Sequence, residues 1–526
     1  MRIERPTIPA LLAQRARSMA GREFLRFEGS SLTFGEVEER TARLAGALRG
    51  VGVGPSDRVA IMLPNGLEFP LLWLAVARVG GVIVPVNPGY GESDLKHVLR
   101  DSGARLAIGG PEQMPKLAAV ADRCLELRTL RQASELSGSA PEAAQSAAQE
   151  AARTGCREDA GRPGDVVTIQ YTSGTTGFPK GCLLTHEYWI ELAEQVRDSC
   201  SVEPGDVCLT AQPFHYMDPA WNMVVALLVG IPLVILPSFS ASTFWGSVRR
   251  SGATFFYCIG AMPTYLLKQP EDPANERGHR VRRVLCSGIP PRQHRRLEER
   301  YGCPWRETYG STELGCVLLA PFSDADCVGS GAMGAPVTGR EVKVVDERGE
   351  RVPCGVPGEM LVRGGASMLG YHGLPEESAR WRQDGWARTG DLVVEDENGY
   401  YRIVGRLKDM IRRAGENIAA AEVEAVLCDH PAVRAAACVS VPDEDRGEEV
   451  KAYVQLRSDP SSRDVSPDEL AEFARARLAA FKVPRYIQFV ESFPMTPSER
   501  IAKGRLLENQ ENATAGAYDT ALGAWV

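Results

Sequence analysis

The chain has 526 residues, 44% hydrophobic and 24% charged, too long for one ordinary domain and composed like a globular protein rather than a disordered or fibrous one. Sixty Lys and Arg against 68 Asp and Glu leave a formal charge of -8, with the signs interspersed and no basic block to follow a phosphate backbone, so nucleic acid is excluded as a partner. Thirteen cysteines stand singly with no Cys-x-x-Cys pair, which argues against a zinc site or a disulfide framework and for a reducing cytoplasm.

From the N-terminus, early charges and no apolar core segment speak against a signal peptide. A helical period over 34–48 leads to a β-branched run at 58–63, a second helix at 69–79 and a second strand at 82–86. This alternation predicts a largely parallel sheet. Residues 133–164, rich in Ala, Ser, Glu and Gln, read as a surface excursion closed by Gly161-Arg162-Pro163-Gly164. The longest apolar stretch, 223–237, is broken by Gly230 and Pro232 and falls short of the roughly 20 residues that span a bilayer. It reads as a buried helix running into a strand, so no membrane is expected. Alternation continues through 247–257 and 281–286. After Gly339 the texture becomes short alternating strands (341–346, 358–363, 400–405), then helices at 420–427 and 467–480 around strands at 435–441 and 451–456. The expected fold class is α/β, with a large N-terminal domain (1–406) of mainly parallel sheets and helices, and a small C-terminal α+β domain (407–510). Residues 511–526, of little periodicity, are expected to be a loose tail.

One segment carries the chemistry. After the apolar strand 166–170 comes Tyr171-Thr172-Ser173-Gly174-Thr175-Thr176-Gly177-Phe178-Pro179-Lys180-Gly181, at a strand end where clefts of α/β sheets open. Its glycines let successive backbone N–H groups converge on one anion, its hydroxyls add donors, and Lys180 supplies a mobile positive charge. This is a triphosphate cradle. It is not a Walker A loop, because Pro179 precedes the lysine and prevents a helix from starting there. A second glycine motif, Gly329-Ser330-Gly331-Ala332-Met333-Gly334, follows no predicted strand and precedes Pro336, so the βαβ context of a dinucleotide fold is missing.

The loop resembles that of the adenylate-forming superfamily of acyl-CoA synthetases, luciferases and peptide-synthetase adenylation domains, and the resemblance extends over nearly the whole chain. It implies that Thr172, Ser173, Gly174, Thr175, Thr176, Gly177 and Lys180 hold the ATP phosphates. Ser287, Gly288, Ile289 and Pro290 resemble the family's adenine-facing turn. In Thr308-Tyr309-Gly310-Ser311-Thr312-Glu313 the tyrosine would stack on adenine, Thr312 would bind the α-phosphate, and Glu313, with Thr176, would hold Mg2+. Asp391 matches the family's ribose-binding carboxylate, Arg406 a ribose or phosphate contact, and Lys408 the pivot between domains. The C-terminal domain is then a mobile lid, and the loop Arg413 to Asn417, opened by Gly415, is the part brought toward a CoA thiol.

The implied reaction is attack of an acid oxyanion on the α-phosphorus of ATP with release of pyrophosphate, followed by transfer of the activated group. The chain departs from the pattern at one point. The family's final Pro-x-Thr-x-Ser-Gly-Lys here reads Pro494-Met495-Thr496-Pro497-Ser498-Glu499-Arg500, leaving either Arg500 or Lys503 as the adenylation cation; the broad guanidinium is no spatial match for an ammonium. Residues 239–245 with Lys268-Gln269-Pro270 are similar to the carnitine/crotonobetaine-CoA ligase branch. His215, Asp218, Trp221 and Tyr257 are expected to line the acid pocket, His215 either pairing with a carboxylate or packing as a core aromatic. Aromatic lining with few charges points to a small or aromatic acid. Three outcomes stay open: transfer to CoA, transfer to an amine or carrier protein (nitrite-activating diazotisation of an arylamine included), and ATP binding without catalysis. The oligomeric state is not legible, and a homodimer is compatible with everything above.

Overall fold

The computed structural model describes residues 6–137, 161–172, 179–414, 416–443, 446–458, 465–495, 501–506 and 513–526. The chain divides into two units, one drawn from Met1–Thr172, Phe178–Glu341 and Arg363–Gly385, the other chiefly from Val342–Val362 and Trp386–Val526.

The first unit holds two sheets. In one, strands Thr129–Gln132, Leu106–Gly109, Arg58–Met62, Val82–Pro85 and Val166–Thr172 lie parallel in that order, and Lys180–Thr185 closes the edge antiparallel. Val82–Pro85 and Leu106–Gly109 are buried at every position, which is why they read as continuous apolar runs. The other sheet has nine strands. Its parallel centre runs Glu23–Phe27, Leu233–Ile235, Cys208–Thr210, Phe255–Ile259, Arg283–Ser287, Trp305–Ser311, and the turn-back strand Gly315–Leu319 pairs antiparallel with the last.

Local sequence explains where the helices between these strands begin and end. Helix Phe34–Gly50 starts at Thr33, whose hydroxyl accepts from the Glu36 N–H while the Glu36 carboxylate accepts from the Thr33 N–H, a reciprocal cap worth about 1 kcal/mol. Helix Met217–Val229, buried over most of its surface, stops at Gly230 with φ 81°, a left-handed geometry that favours glycine. The strand Leu233–Ile235 follows directly, as the apolar stretch led one to expect. Among the described residues no helix is long and apolar enough to cross a membrane.

In the second unit, Gly358–Gly364, Trp386–Glu395 and Tyr401–Arg406 pair antiparallel. Residues 342–362 and 386–406, read from the sequence with the N-terminal domain, therefore group with the C-terminal part of the chain. A further sheet runs Glu416–Ala419, Met410–Arg413, Gly447–Leu456, Tyr486–Phe489, with Val433–Asp443 also paired to Gly447–Leu456. Helices Ala420–Cys428 and Pro467–Arg475 contribute Val423, Leu427, Leu470 and Ala474 to the same core as Ile411, Ile418 and Val450. The second helix ends five residues short of the expected 480.

The chain end is not a loose tail in its described part. Tyr518–Asp519 adds to Tyr486–Phe489, and Ala524–Trp525 folds back on it. Ala517 and Asp519 are buried, and Arg485 pairs with Asp519 at 3.2 Å. Strands of two residues leave no readable periodicity, and a buried charge disguises itself as surface sequence.

Candidate active site

Thr172 ends one strand and Lys180 begins the next, paired in register with it. Both flanks of the loop between them are tied to helix Glu92–Ser102: the Tyr171 hydroxyl donates to Asp101 Oδ2 at 2.6 Å and His97 Nε2 bonds the Pro179 carbonyl at 2.9 Å. Ser173, Gly174, Thr175, Thr176 and Gly177 lie outside the described residues. Lys180 forms an ion pair with Glu377, and its Nζ stands 5.5 Å from the centre of the Tyr371 ring. The Tyr371 hydroxyl donates to Glu313 Oε1 at 3.0 Å; burial first, then Glu313, raises its pKa well above the tyrosine range, so it stays a donor. The structure thus gathers Lys180 and Glu313 around two residues, Tyr371 and Glu377, that the motifs did not mark.

At the carboxyl ends of the nine-stranded sheet, Ser287, Gly288 and Ile289 form a turn held from beneath. Glu307 accepts the Gly288 and Ile289 N–H groups at 2.7 Å each, and the Ser287 hydroxyl donates to the Thr308 carbonyl at 2.7 Å. Gly288 has φ 98°, which favours glycine. Burial pushes the Glu307 carboxyl up to about 7 against the two N–H donors that favour its anion. Pro290 then leads into helix Pro291–Tyr301. The Trp305–Ser311 strand turns through Thr312, Glu313 and Leu314 into Gly315–Leu319. A side chain at Gly310 would meet the Gly315 carbonyl at 2.3 Å, so only glycine permits this tight return. Thr308 is held by the Leu318 carbonyl at 2.9 Å, Tyr309 lies opposite Leu318, and the Thr312 carbonyl accepts the Tyr188 hydroxyl at 2.9 Å.

The expected acid-lining residues follow the strand Cys208–Thr210. His215 is held by its carbonyl, which takes the Gln170 amide at 2.7 Å; its ring packs on Tyr216 at 4.4 Å and burial pushes it down to about 4, so it is neutral. Its Nε2 is buried without a hydrogen-bond partner among the described residues. Trp221 and Tyr257 meet edge to face at 5.6 Å.

In the second unit, Asp391 is 1% exposed and forms an ion pair with Arg406, Nε to Oδ1 2.7 Å, its register partner on the neighbouring strand. Lys503 begins the short turn Lys503–Leu506, its Nζ 2.6 Å from Glu424 Oε1 and 3.6 Å from Asp409 Oδ2. Burial opposes its charge, but Glu424 and Asp409 outweigh it and leave the pKa above the ordinary lysine value. Burial first lowers that of nearby Lys408. Arg413 pairs with the fully buried Glu449 at 2.8 Å. Arg500 and Gly415 lie outside the described residues. Among those described, no cluster of three or more His, Cys, Asp or Glu is set to hold a metal, and the twelve cysteines are free.

A parallel-sheet unit that ends its strands in a hydroxyl-rich loop, an N–H turn and a Tyr-Gly-Ser-Thr-Glu hairpin has the layout of a nucleotide-activating enzyme. Two family models match, the AMP-binding enzyme over residues 12–372 and its C-terminal domain over 422–500. The chain belongs to the AMP-binding enzyme family and is an AMP-forming, acid-activating ligase of the acyl-CoA synthetase type. It is 34% identical to a feruloyl-CoA synthase of an Amycolatopsis species, over 94% of this chain and 97% of that one. To a sulfoacetate–CoA ligase of Cupriavidus necator the identity is 32%, over 96% and 98%. Among solved structures, the o-succinylbenzoate CoA synthetase of Bacillus subtilis with its acyl-adenylate intermediate superposes with a TM-score of 0.84 at 25% identity, covering 97% of this chain and 99% of that one.

Proposed function

We propose that this enzyme adenylates a small or aromatic acid with ATP and transfers the acyl group to CoA. The carrying observation is the joining of Lys180, Tyr371 and Glu313 beside the loop that begins at Thr172, together with full-length similarity to two named CoA ligases.

In this reading the loop residues 172–177 and Lys180 cradle the β- and γ-phosphates, the 287–290 turn and Tyr309 receive adenine, Thr312 meets the α-phosphate, and Asp391 binds the ribose hydroxyls beside Arg406. The Lys180–Glu377 pair is exposed enough for Lys180 to exchange its carboxylate for phosphate. Glu313 suits Mg2+: it is a hard oxygen ligand fixed by one tyrosine donor, and Mg2+ asks for one or two carboxylates with phosphates and water completing its shell. Thr176 is the second protein oxygen. Bound there, Mg2+ supplies neutralising charge for the phosphates. The acid carboxylate attacks the α-phosphorus, its negative charge steered by Lys503 or Arg500, and pyrophosphate leaves. The 407–510 domain then turns about Lys408 so that the loop at Gly415 admits the CoA thiol, which displaces AMP from the acyl carbon. A cytoplasmic setting and a homodimer accompany this reading.

ATP–pyrophosphate exchange over a panel of acids, repeated with CoA or with an amine, tests it. CoA-dependent AMP release with an aromatic or small acid is the expected result. Release that needs an amine and ignores CoA sinks the acceptor assignment, and ATP binding without exchange for any acid sinks the activity.

A further inference from the structure

Asp218 sits in the first turn of helix Met217–Val229, between the His215–Tyr216 ring pair and the Trp221–Tyr257 aromatic wall. It is 8% exposed. Its carboxylate takes a long hydrogen bond of 3.4 Å from Trp221 Nε1, with its own backbone N–H as the other donor. Among the described residues no Lys, Arg or His pairs with it. Tyr257, on strand Phe255–Ile259, faces it across the fold and interacts with Ser287 of the 287–290 turn. Burial pushes the Asp218 carboxyl up to about 6, which still leaves it ionised at neutral pH.

A carboxylate removed from water without a cation is a heavy local penalty that an apolar residue would avoid. Three residues away, the buried His215 Nε2 also lacks a partner. A cation-free carboxylate with one long side-chain donor and an unpartnered ring nitrogen, at one end of one helix among aromatic rings, describe a lining able to take a further hydrogen-bond donor.

We propose that Asp218 selects the acid substrate, accepting an N–H bond from an amino group carried on an aromatic acid. This rests on the adenylating reading above and narrows it to amino-substituted aromatic acids. An amino group is the donor that satisfies the anion, and a methyl of the same size is the one that leaves it unpaired, so the two should be strongly discriminated. His215, neutral, offers a second acceptor or donor to the same substituent.

The test compares 3- and 4-aminobenzoate with 3- and 4-methylbenzoate. Pyrophosphate exchange gives kcat/KM, and calorimetry in the presence of AMP gives affinity without requiring turnover. Wild type should favour the amino member of at least one pair by about 10-fold or more, and Asp218→Asn should reduce that ratio to about 3-fold or less. Equal treatment of both pairs by wild type overturns the proposal, as does a preference that survives in Asp218→Asn. Should that variant fail to fold, the wild-type ratio decides alone. Failure of the adenylating reading looks different: amino-selective binding in the calorimeter with no exchange for any acid leaves Asp218 standing and removes the reaction.

Discussion

Two lysines carry the proposed chemistry, Lys180 and Lys503, and each is met by a glutamate, yet water reaches the two pairs to different extents. The Lys180–Glu377 side chains are 33% and 37% exposed, and Lys503 and Glu424 22% and 19%. An exposed pair contributes about 0–1 kcal/mol and surrenders its partner readily. A more buried one resists separation, because freeing either member leaves an uncompensated charge. Lys503 is held by a second carboxylate as well, Asp409. Lys180 is thus the more easily parted from its carboxylate, whereas Lys503 is stored within its unit, and any role for it in adenylation demands that Glu424 let go.

The largest expected effect breaks this comparison at its weakest point, the choice of adenylation cation. Whichever of Lys503→Ala and Arg500→Ala removes the charge that meets the α-phosphate should lower the exchange rate about 10²- to 10³-fold, with the other within about 3-fold of wild type. Activity surviving both substitutions would show that neither cation serves. Next in size, Asp391→Ala should raise the ATP KM by about 10- to 100-fold, the loss of a charged hydrogen-bond acceptor. Because its partner Arg406 is 41% exposed and can turn to solvent, the melting temperature should hardly move; a collapse of stability instead would make Asp391 a structural residue.

How much of this was legible follows from chain distance. The parallel strands at 58–62 and 82–85 were readable since burial on both faces makes the sequence itself apolar. The loop 173–178 lies outside the described residues, whereas the turn at Ser287 and the hairpin at Tyr309 were readable as local shapes because each lies in consecutive residues. Their supports were not. Glu377 lies 197 residues from Lys180, and Tyr371 lies 58 from Glu313, separations at which only the fold decides who meets whom. Glu307, adjacent to a recognised motif, carried a signal that alternation alone could not interpret: its side chain turns to the neighbouring strand's end, not along its own hairpin. The closing residues at 513–526 misled for the opposite reason, since their burial rests on short pairings and on contacts with distant residues such as Arg485, Asp468 and Lys451.

A third prediction sharpens the contrast between stored and available charge through pH. Asp218 has its folded pKa raised from 3.8 to about 6, so the folded state binds more protons than the unfolded one between these values. Stability should therefore fall as pH rises from about 4 to about 6 and stay flat above. Asp218→Asn removes the buried charge and should raise the melting temperature by about 2–5 °C at pH 7.5, the gain vanishing below pH 4. Loss of stability at pH 7.5 in this variant would mean that the carboxylate is satisfied within the fold.

The smallest effect belongs to Glu377. Glu377→Gln removes the competitor for Lys180 without touching the lysine, so the ATP KM should fall by about 2- to 5-fold with kcat unchanged, the scale of one half-exposed ion pair. The matched substitution Glu424→Gln should behave differently, since it strips the nearer of two carboxylates from a lysine that burial already disfavours: thermal stability should drop measurably while the exchange rate rises if release of Lys503 limits adenylation. Equal and small responses at the two glutamates would erase the distinction, because exposure would then have no bearing on which lysine gives up its partner.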